Sequence, residues 1–214
     1  DPSIWVLKTE DEHGKIQVHG AVGSHVDDFL LIGSEENPVW NSFLESFRKA
    51  LRWSPWERSP MMHCGVHLEQ DLHGNWHLSQ EEFCQGINQI EEDGTTKELT
   101  TNERHQCRAV LGAAQWRCYQ TGPQYSAKLS HLQSLLPRGD RQTLKDINKF
   151  VRELYHQKNE GVTVFDLQAD SDEDIVLVGW TDAALANRVD LTSTGGYIIG
   201  YVHRDMLERG VAGP

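Results

Sequence analysis

The chain has 214 residues, a hydrophobic fraction of 38% and a formal net charge of -12 at pH 7. This length supports one large domain or two small ones, each with a real core. The acidic balance argues against a general polyanion-binding protein, and no apolar run approaches the ~20 residues needed to span a bilayer.

The first part of the chain predicts an antiparallel meander, with strands over residues 4–8, 15–22 and 28–33. Asp27 and Asp28 lie at the bend between the second and third strands. Two adjacent carboxylates repel each other, and a divalent cation such as Mg²⁺ removes that penalty. The pair therefore indicates a metal site at one end of the sheet, with an ordinary solvated turn as the alternative.

A helix is predicted to begin at Asn37-Pro38, with Asn as the N-cap and Pro at the first helical position. Apolar residues at spacings of four give this helix a face that packs on the sheet. They are Val39, Phe43, Phe47 and Leu51. A strand over residues 62–69 and a shorter one over 76–78 are predicted to follow.

Ser79-Gln80-Glu81-Glu82 has the form of a capping box and predicts another helix, buried through Phe83, Ile87 and Ile90. From residue 91 to residue 97 the chain is acidic and contains Gly, which predicts a domain boundary.

Three helices are predicted next, the first opened by a capping box at Thr100 and the third running over about residues 140–156. Arg141, Lys145 and Lys149 recur at spacings of four along that third helix. Such a basic face is typical of solvated surface, and it also suits contact with a phosphate backbone.

An acidic stretch over residues 166–174 predicts the second boundary. A nearly all-apolar strand over 175–182 follows and ends in Asp182, and another strand is predicted over 193–201. Because the chain stops at Pro214, we expect this last sheet to be incomplete.

The first residues carry neither an initiator Met nor a basic signal region, so we expect an intracellular piece of a longer polypeptide. The four cysteines are scattered, which favours reduced core residues over a disulfide framework. His63, Cys64 and His67 are residue types that bind zinc. This set is disfavoured because alternate residues on one strand point to opposite faces.

Five short motifs occur in a characteristic order along the chain. They are His25-Val26-Asp27-Asp28 with its apolar tail, the segment from His63 to Glu69, the helix with Cys107-Arg108 and Gly112, Gly179-Trp180-Thr181-Asp182-Ala183, and Ser193-Thr194-Gly195-Gly196-Tyr197. This order resembles the reverse transcriptase and ribonuclease H region of copia-type LTR retrotransposon polyproteins, over almost the whole chain.

The resemblance implies an α+β fold in three parts. Residues 1–92 would form the C-terminal part of a polymerase palm, an antiparallel sheet with helices on one face. Residues 93–172 would form a helical thumb or connection, and residues 173–214 would form the first strands of a ribonuclease H-like domain.

The resemblance also implies an RNA-directed DNA polymerase in which Asp27 and Asp28 are catalytic metal ligands of a two-metal nucleotidyl transfer. Asp182 would be the first metal-binding carboxylate of a ribonuclease H site. The implied cofactor is Mg²⁺, with Mn²⁺ as the alternative. The implied nucleic-acid-binding residues are His25, Gly65, Arg141, Lys145, Lys149 and Arg152.

The implied partners are an RNA or DNA primer-template, deoxynucleoside triphosphates and the rest of the Pol polyprotein, with no membrane. The implied location is the nucleus or a cytoplasmic virus-like particle. Since a further palm aspartate and further ribonuclease H carboxylates are expected outside these residues, we expect the chain alone neither to polymerise nor to cleave.

The chain departs from the family pattern at three places. His25 stands where the family has Tyr, His63-Cys64 replaces Phe-Leu, and Ala184 replaces the second acid of an Asp-Ala-Asp segment. Two alternatives therefore stay open. One is a degenerate remnant whose Asp pair binds no metal, and the other is an RNA-recognition-type module that stacks bases on Trp5 and Phe29.

Overall fold

A computed structural model describes residues 3–93, 96–169, 171–188 and 192–210. The described residues form a mixed α+β protein with small antiparallel sheets and a helical middle. It divides into two compact units, one up to Glu69 and the other from Gln70 onward. This division lies upstream of the boundary expected at residue 92, because Ile87 and Ile90 belong to the hydrophobic core of the helices.

The first unit opens with the predicted meander, which the structure confirms. Strands β1 (Ile4–Glu10), β2 (Ile16–His25) and β3 (Asp28–Gly33) pair antiparallel in the order β1-β2-β3. Only Val26 and Asp27 separate β2 from β3, so the two strands form a tight hairpin.

Helix α1 (Pro38–Ala50) begins as predicted, because the Asn37 side chain accepts hydrogen bonds from the first free backbone N–H groups of the helix. Trp40 is buried, and its indole lies on Gly20 and Gly33, which are register partners in β2 and β3. A side chain at either glycine would occupy the space of the indole ring. The helix therefore packs through Trp40 on a glycine platform, which consists of Gly20 and Gly33. The predicted apolar face is wrong at its two ends, because Val39 and Leu51 are exposed.

The strand predicted over residues 62–69 is wrong. The structure has two strands there, β4 (Met61–His63) and β5 (Val66–Gln70), which pair antiparallel. Cys64 and Gly65 connect them with φ values of 50° and 74°. Two successive residues in the left-handed region form the tight turn that suits the twist of a hairpin.

The second unit begins with β6 (Trp76–Ser79), which pairs antiparallel with β7 (Gly161–Val164). The capping box predicted at Ser79 is wrong, because Ser79 is still part of β6, opposite Gly161. The helix that follows, α2 (Glu81–Gln85), has Gln80 as its N-cap without a side-chain capping bond.

Helices α3 (Thr101–Gln120), α4 (Ser126–Leu135) and α5 (Arg141–His156) form the helical middle. The capping box predicted at Thr100 is confirmed, since its side chain and that of Glu103 exchange hydrogen bonds with each other's backbone. The three helices share one core. Its fully buried side chains include Cys107, Leu111, Leu144, Ile147, Phe150 and Leu154.

Both predicted strands near the C-terminal end are confirmed. Strands β8 (Ile175–Ala184) and β9 (Thr194–His203) pair antiparallel over their whole length, and the short helix α6 (Arg204–Glu208) follows. The expected incompleteness of this sheet at Pro214 lies outside the described residues. Among the residues that the structure describes, no helix is both long and apolar enough to cross a membrane.

Candidate functional site

The acidic pair lies at the exposed tip of the β2–β3 hairpin. Asp27 occupies the two-residue turn, and Asp28 is the first residue of β3, opposite His25. Val26, the other turn residue, has φ 59° and is 89% exposed. His25, Asp27 and Asp28 are also exposed. The two carboxylates are therefore presented to solvent and are not buried in the sheet.

The β4–β5 turn brings two further metal-binding groups to this tip. One ligand atom each of Asp28, His63 and Cys64 lies within 4.8 Å of the others. Asp28 is exposed, whereas His63 and Cys64 are partly buried. A continuous strand would have kept His63 and Cys64 on opposite faces, and the turn at Cys64 removes that constraint. The third group beside His63 and Cys64 is Asp28 and not His67.

The surroundings of the Cys64 thiol in this cluster change its pKa. Partial burial, and secondly the negative charge of Asp28, raise the pKa of Cys64 above its ordinary value of 9.0. Without a cation, the thiol is therefore protonated at neutral pH. A bound divalent cation would reverse this preference, because its charge stabilises the thiolate.

The carboxylates of Asp27 and Asp28 are the type of ligand that Mg²⁺ prefers. Mg²⁺ takes one or two carboxylates and completes its octahedron with water and phosphate oxygens. The solvent-exposed tip leaves room for such additional ligands. In the described part of the chain, however, Asp27 belongs to no group of three metal-ligating side chains. Any ion held by the pair would therefore take most of its ligands from solvent or substrate.

Asp182 lies in β8, opposite Gly196 of β9, and its side chain is exposed. Its Oδ1 accepts a hydrogen bond of 2.9 Å from the backbone N–H of Ala183. Within the described residues it joins no group of three metal-ligating side chains. Its role as a ribonuclease H carboxylate stays a prediction.

The basic residues of α5 divide into two kinds. Arg141 forms an ion pair with Glu103, a fully buried carboxylate, and its own side chain is only 13% exposed. Lys145 and Lys149 are exposed, and Arg152 is exposed and donates a hydrogen bond of 2.7 Å to Gln89. The guanidinium of Arg141 is thus occupied inside the unit, and the accessible basic surface is formed by the other three.

Gly65, predicted to contact nucleic acid, lies in the β4–β5 turn with open space where a side chain would project. Of the two aromatic residues in the RNA-recognition alternative, Phe29 packs against Phe47 and Trp53, with ring centroids 5.7 and 5.3 Å apart. Trp5 is 53% exposed. Only Trp5 of these two is therefore free to stack on a base.

The sequence reasoning missed a buried polar network around Arg117, which is 0% exposed. Its guanidinium donates to the Thr121 hydroxyl and, at 2.5 Å, to the backbone carbonyl of Glu160. The Thr121 hydroxyl in turn donates to Gln80 at 2.9 Å. Nothing in the local pattern of α3 distinguishes Arg117 from a surface arginine, so this network becomes visible only in three dimensions.

Comparisons of the chain with models of known protein families, with curated proteins and with solved structures found no match.

Proposed function

We propose that the chain is a segment of a copia-type reverse transcriptase whose β2–β3 hairpin carries metal-binding carboxylates. The observation that supports this proposal is the hairpin itself. Asp27 and Asp28 lie at the open tip of a three-stranded antiparallel meander with α1 packed on it. A polymerase palm needs its acidic pair at such a tip, where a primer end and a triphosphate have access to it.

In this proposal Asp27 and Asp28 hold Mg²⁺, or Mn²⁺, at the hairpin tip. When bound, the ion would supply charge that activates the primer hydroxyl and stabilises the leaving pyrophosphate. His25, the register partner of Asp28 at the end of β2, would contact the primer or the nucleotide. The exposed Gly65 turn offers backbone groups without a side chain in the way.

The proposal extends to the second unit. The helical middle would be the thumb or connection, with Lys145, Lys149 and Arg152 contacting phosphates of an RNA or DNA primer-template. The β8–β9 hairpin would begin a ribonuclease H-like domain with Asp182 as its first carboxylate. Both units would then act as parts of a Pol polyprotein, in a cytoplasmic virus-like particle or in the nucleus.

The experiment is a calorimetric titration of the chain with Mn²⁺ in the presence of a primer-template duplex. The heat of Mn²⁺ binding to the duplex alone is subtracted. The test variant is Asp27→Asn with Asp28→Asn, and the proposal expects the remaining binding heat to be lost. The matched control is Glu10→Gln with Glu12→Gln, which removes two charges at the β1–β2 turn of the same sheet. The control is expected to bind as the unmodified chain does.

If the double aspartate variant binds Mn²⁺ as well as the control, the hairpin is an ordinary turn and the proposal fails. If both variants lose binding to the same extent, the heat reports general attraction by negative charge, and the proposal fails as well.

A further inference from the structure

Three ligand groups of different chemistry meet where the β4–β5 turn lies beside the start of β3. Asp28 offers a carboxylate oxygen, His63 an imidazole nitrogen and Cys64 a sulfur, all within 4.8 Å of one another. All three belong to the first compact unit. Nothing in the proposed polymerase function requires an imidazole and a thiol at this place.

We propose that Asp28, His63 and Cys64 form a three-ligand binding site for Zn²⁺. The choice of metal follows from the donor set, because thiolate and imidazole ligands favour zinc over the hard cations Mg²⁺ and Mn²⁺. Three protein ligands leave a fourth tetrahedral position for water, which is the arrangement of an open zinc site. Partial exposure of the cluster gives the ion a path to it.

Zinc binding would require only a small movement of the three side chains. Zinc bonds of about 2.0–2.3 Å in a tetrahedron place ligand atoms roughly 3.5 Å apart. The three groups, at most 4.8 Å apart, therefore need to approach by about an ångström. Asp28 is exposed and has the freedom to rotate toward the other two.

The observations behind this zinc site do not rest on the proposed polymerase function, although both assign a metal to Asp28. A zinc ion on Asp28, His63 and Cys64 would occupy the carboxylate that the polymerase proposal gives to Mg²⁺. The two metals would then compete for Asp28, with zinc recognised through Cys64 and magnesium through Asp27.

The test is a titration of the full chain with Co²⁺, which replaces Zn²⁺ in tetrahedral sites and absorbs light. A thiolate ligand produces a charge-transfer band in the near ultraviolet, so the band reports on sulfur coordination. Cys84, Cys107 and Cys118 are buried, and Cys64 is the cysteine with partial exposure. The proposal expects one equivalent of Co²⁺ to give the band and Zn²⁺ to abolish it by displacement.

Substitutions at Cys64, His63 and Asp28 test whether each residue is a metal ligand. Cys64→Asn removes the sulfur and suits the left-handed backbone at that position, and Cys64→Ser provides a second test. Both are expected to eliminate the band. His63→Gln and Asp28→Asn are expected to weaken Co²⁺ binding by more than about tenfold, since even supporting residues around a metal contribute that much. Circular dichroism checks that each variant is folded.

His67→Gln is the matched control, because His67 lies on the same hairpin but outside the cluster. It is expected to bind Co²⁺ like the unmodified chain. The proposal is overturned if no charge-transfer band appears, if the band persists without Cys64, or if His67→Gln weakens binding as much as His63→Gln.

Discussion

Glu103 shows how a single buried carboxylate can couple the helical unit to pH. Its side chain is fully buried, pairs with Arg141, and accepts backbone N–H bonds from Thr100 at 2.8 Å and Asp93 at 3.1 Å. The Arg141 guanidinium is the main cause that lowers the pKa of Glu103 from 4.5 to about 2, with the backbone donors adding to it. The folded chain thus favours the ionised carboxylate.

This pKa predicts an acid-sensitive stability. Because the folded pKa lies below the unfolded value of 4.5, the contribution of Glu103 is fully present above pH 4.5 and is lost as the pH falls toward about 2. Glu103→Gln is expected to be destabilised at pH 7 and to show a flatter decline of unfolding free energy across that window. Urea unfolding at several pH values measures both.

The exposed Glu92→Gln provides the matched control, since it removes a charge near the same helix without breaking the ion pair. It is expected to follow the unmodified chain at every pH. An unchanged pH dependence in Glu103→Gln would show that this ion pair does not set the acid response.

At the scale of elements, the glycine platform under α1 predicts a steric requirement. A Cβ added at Gly33 would lie 2.4 Å from the indole Cε2 of Trp40, and the ring is buried. Gly33→Ala is therefore expected to destabilise the first unit by about 1–3 kcal/mol, the usual cost of overpacking. The measurement is chemical denaturation followed by tryptophan fluorescence.

The control for this substitution is Gly23→Ala on β2, where the nearest atoms to an added Cβ lie 4.0 Å away in Leu30. It is expected to leave the midpoint almost unchanged. Equal destabilisation by both substitutions would contradict the proposed steric requirement. The effect would then come from the loss of glycine and not from contact with Trp40.

Local sequence patterns predicted most elements of this fold, because apolar runs bounded by turn residues indicate strands and a cap residue indicates where a helix begins. The meander, the helix capped by Asn37 and the β8–β9 hairpin are the examples. The β4–β5 turn escaped prediction because Cys64 adopts a left-handed conformation that its residue type does not signal. The false capping box arose because Ser79 is held in a strand by its partner Gly161.

The candidate site was predictable only in part, because some of its residues are brought together by contacts between distant parts of the sequence. The acidic pair is adjacent in sequence, so its position at a hairpin tip followed from the flanking strands. The approach of His63 and Cys64 to Asp28 depends on a contact between residues more than thirty positions apart, and no local pattern carries that information. Likewise, the spacing of Arg141 did not reveal its ion pair with Glu103.

At the scale of the whole molecule, a net charge of -12 opposes nucleic-acid binding, so affinity must come from local basic surface. Lys145→Gln with Lys149→Gln is expected to weaken duplex binding and to make its salt dependence shallower, by a slope of about one for each phosphate that is no longer neutralised. Fluorescence anisotropy at several salt concentrations measures both quantities.

Lys8→Gln with Lys15→Gln removes the same charge from exposed positions of the first unit and is the control. It is expected to retain the original slope. If both pairs change the slope equally, the lysines of α5 do not form a specific phosphate-binding surface.

The reverse transcriptase proposal requires the β2–β3 hairpin tip to bind a hard divalent ion, and paramagnetic broadening by Mn²⁺ reports where such an ion binds. In amide NMR spectra of the chain with a primer-template duplex, we expect broadening centred on residues 25–29, and its loss in Asp27→Asn with Asp28→Asn. Broadening centred elsewhere, or unchanged in that variant, would contradict the reverse transcriptase proposal.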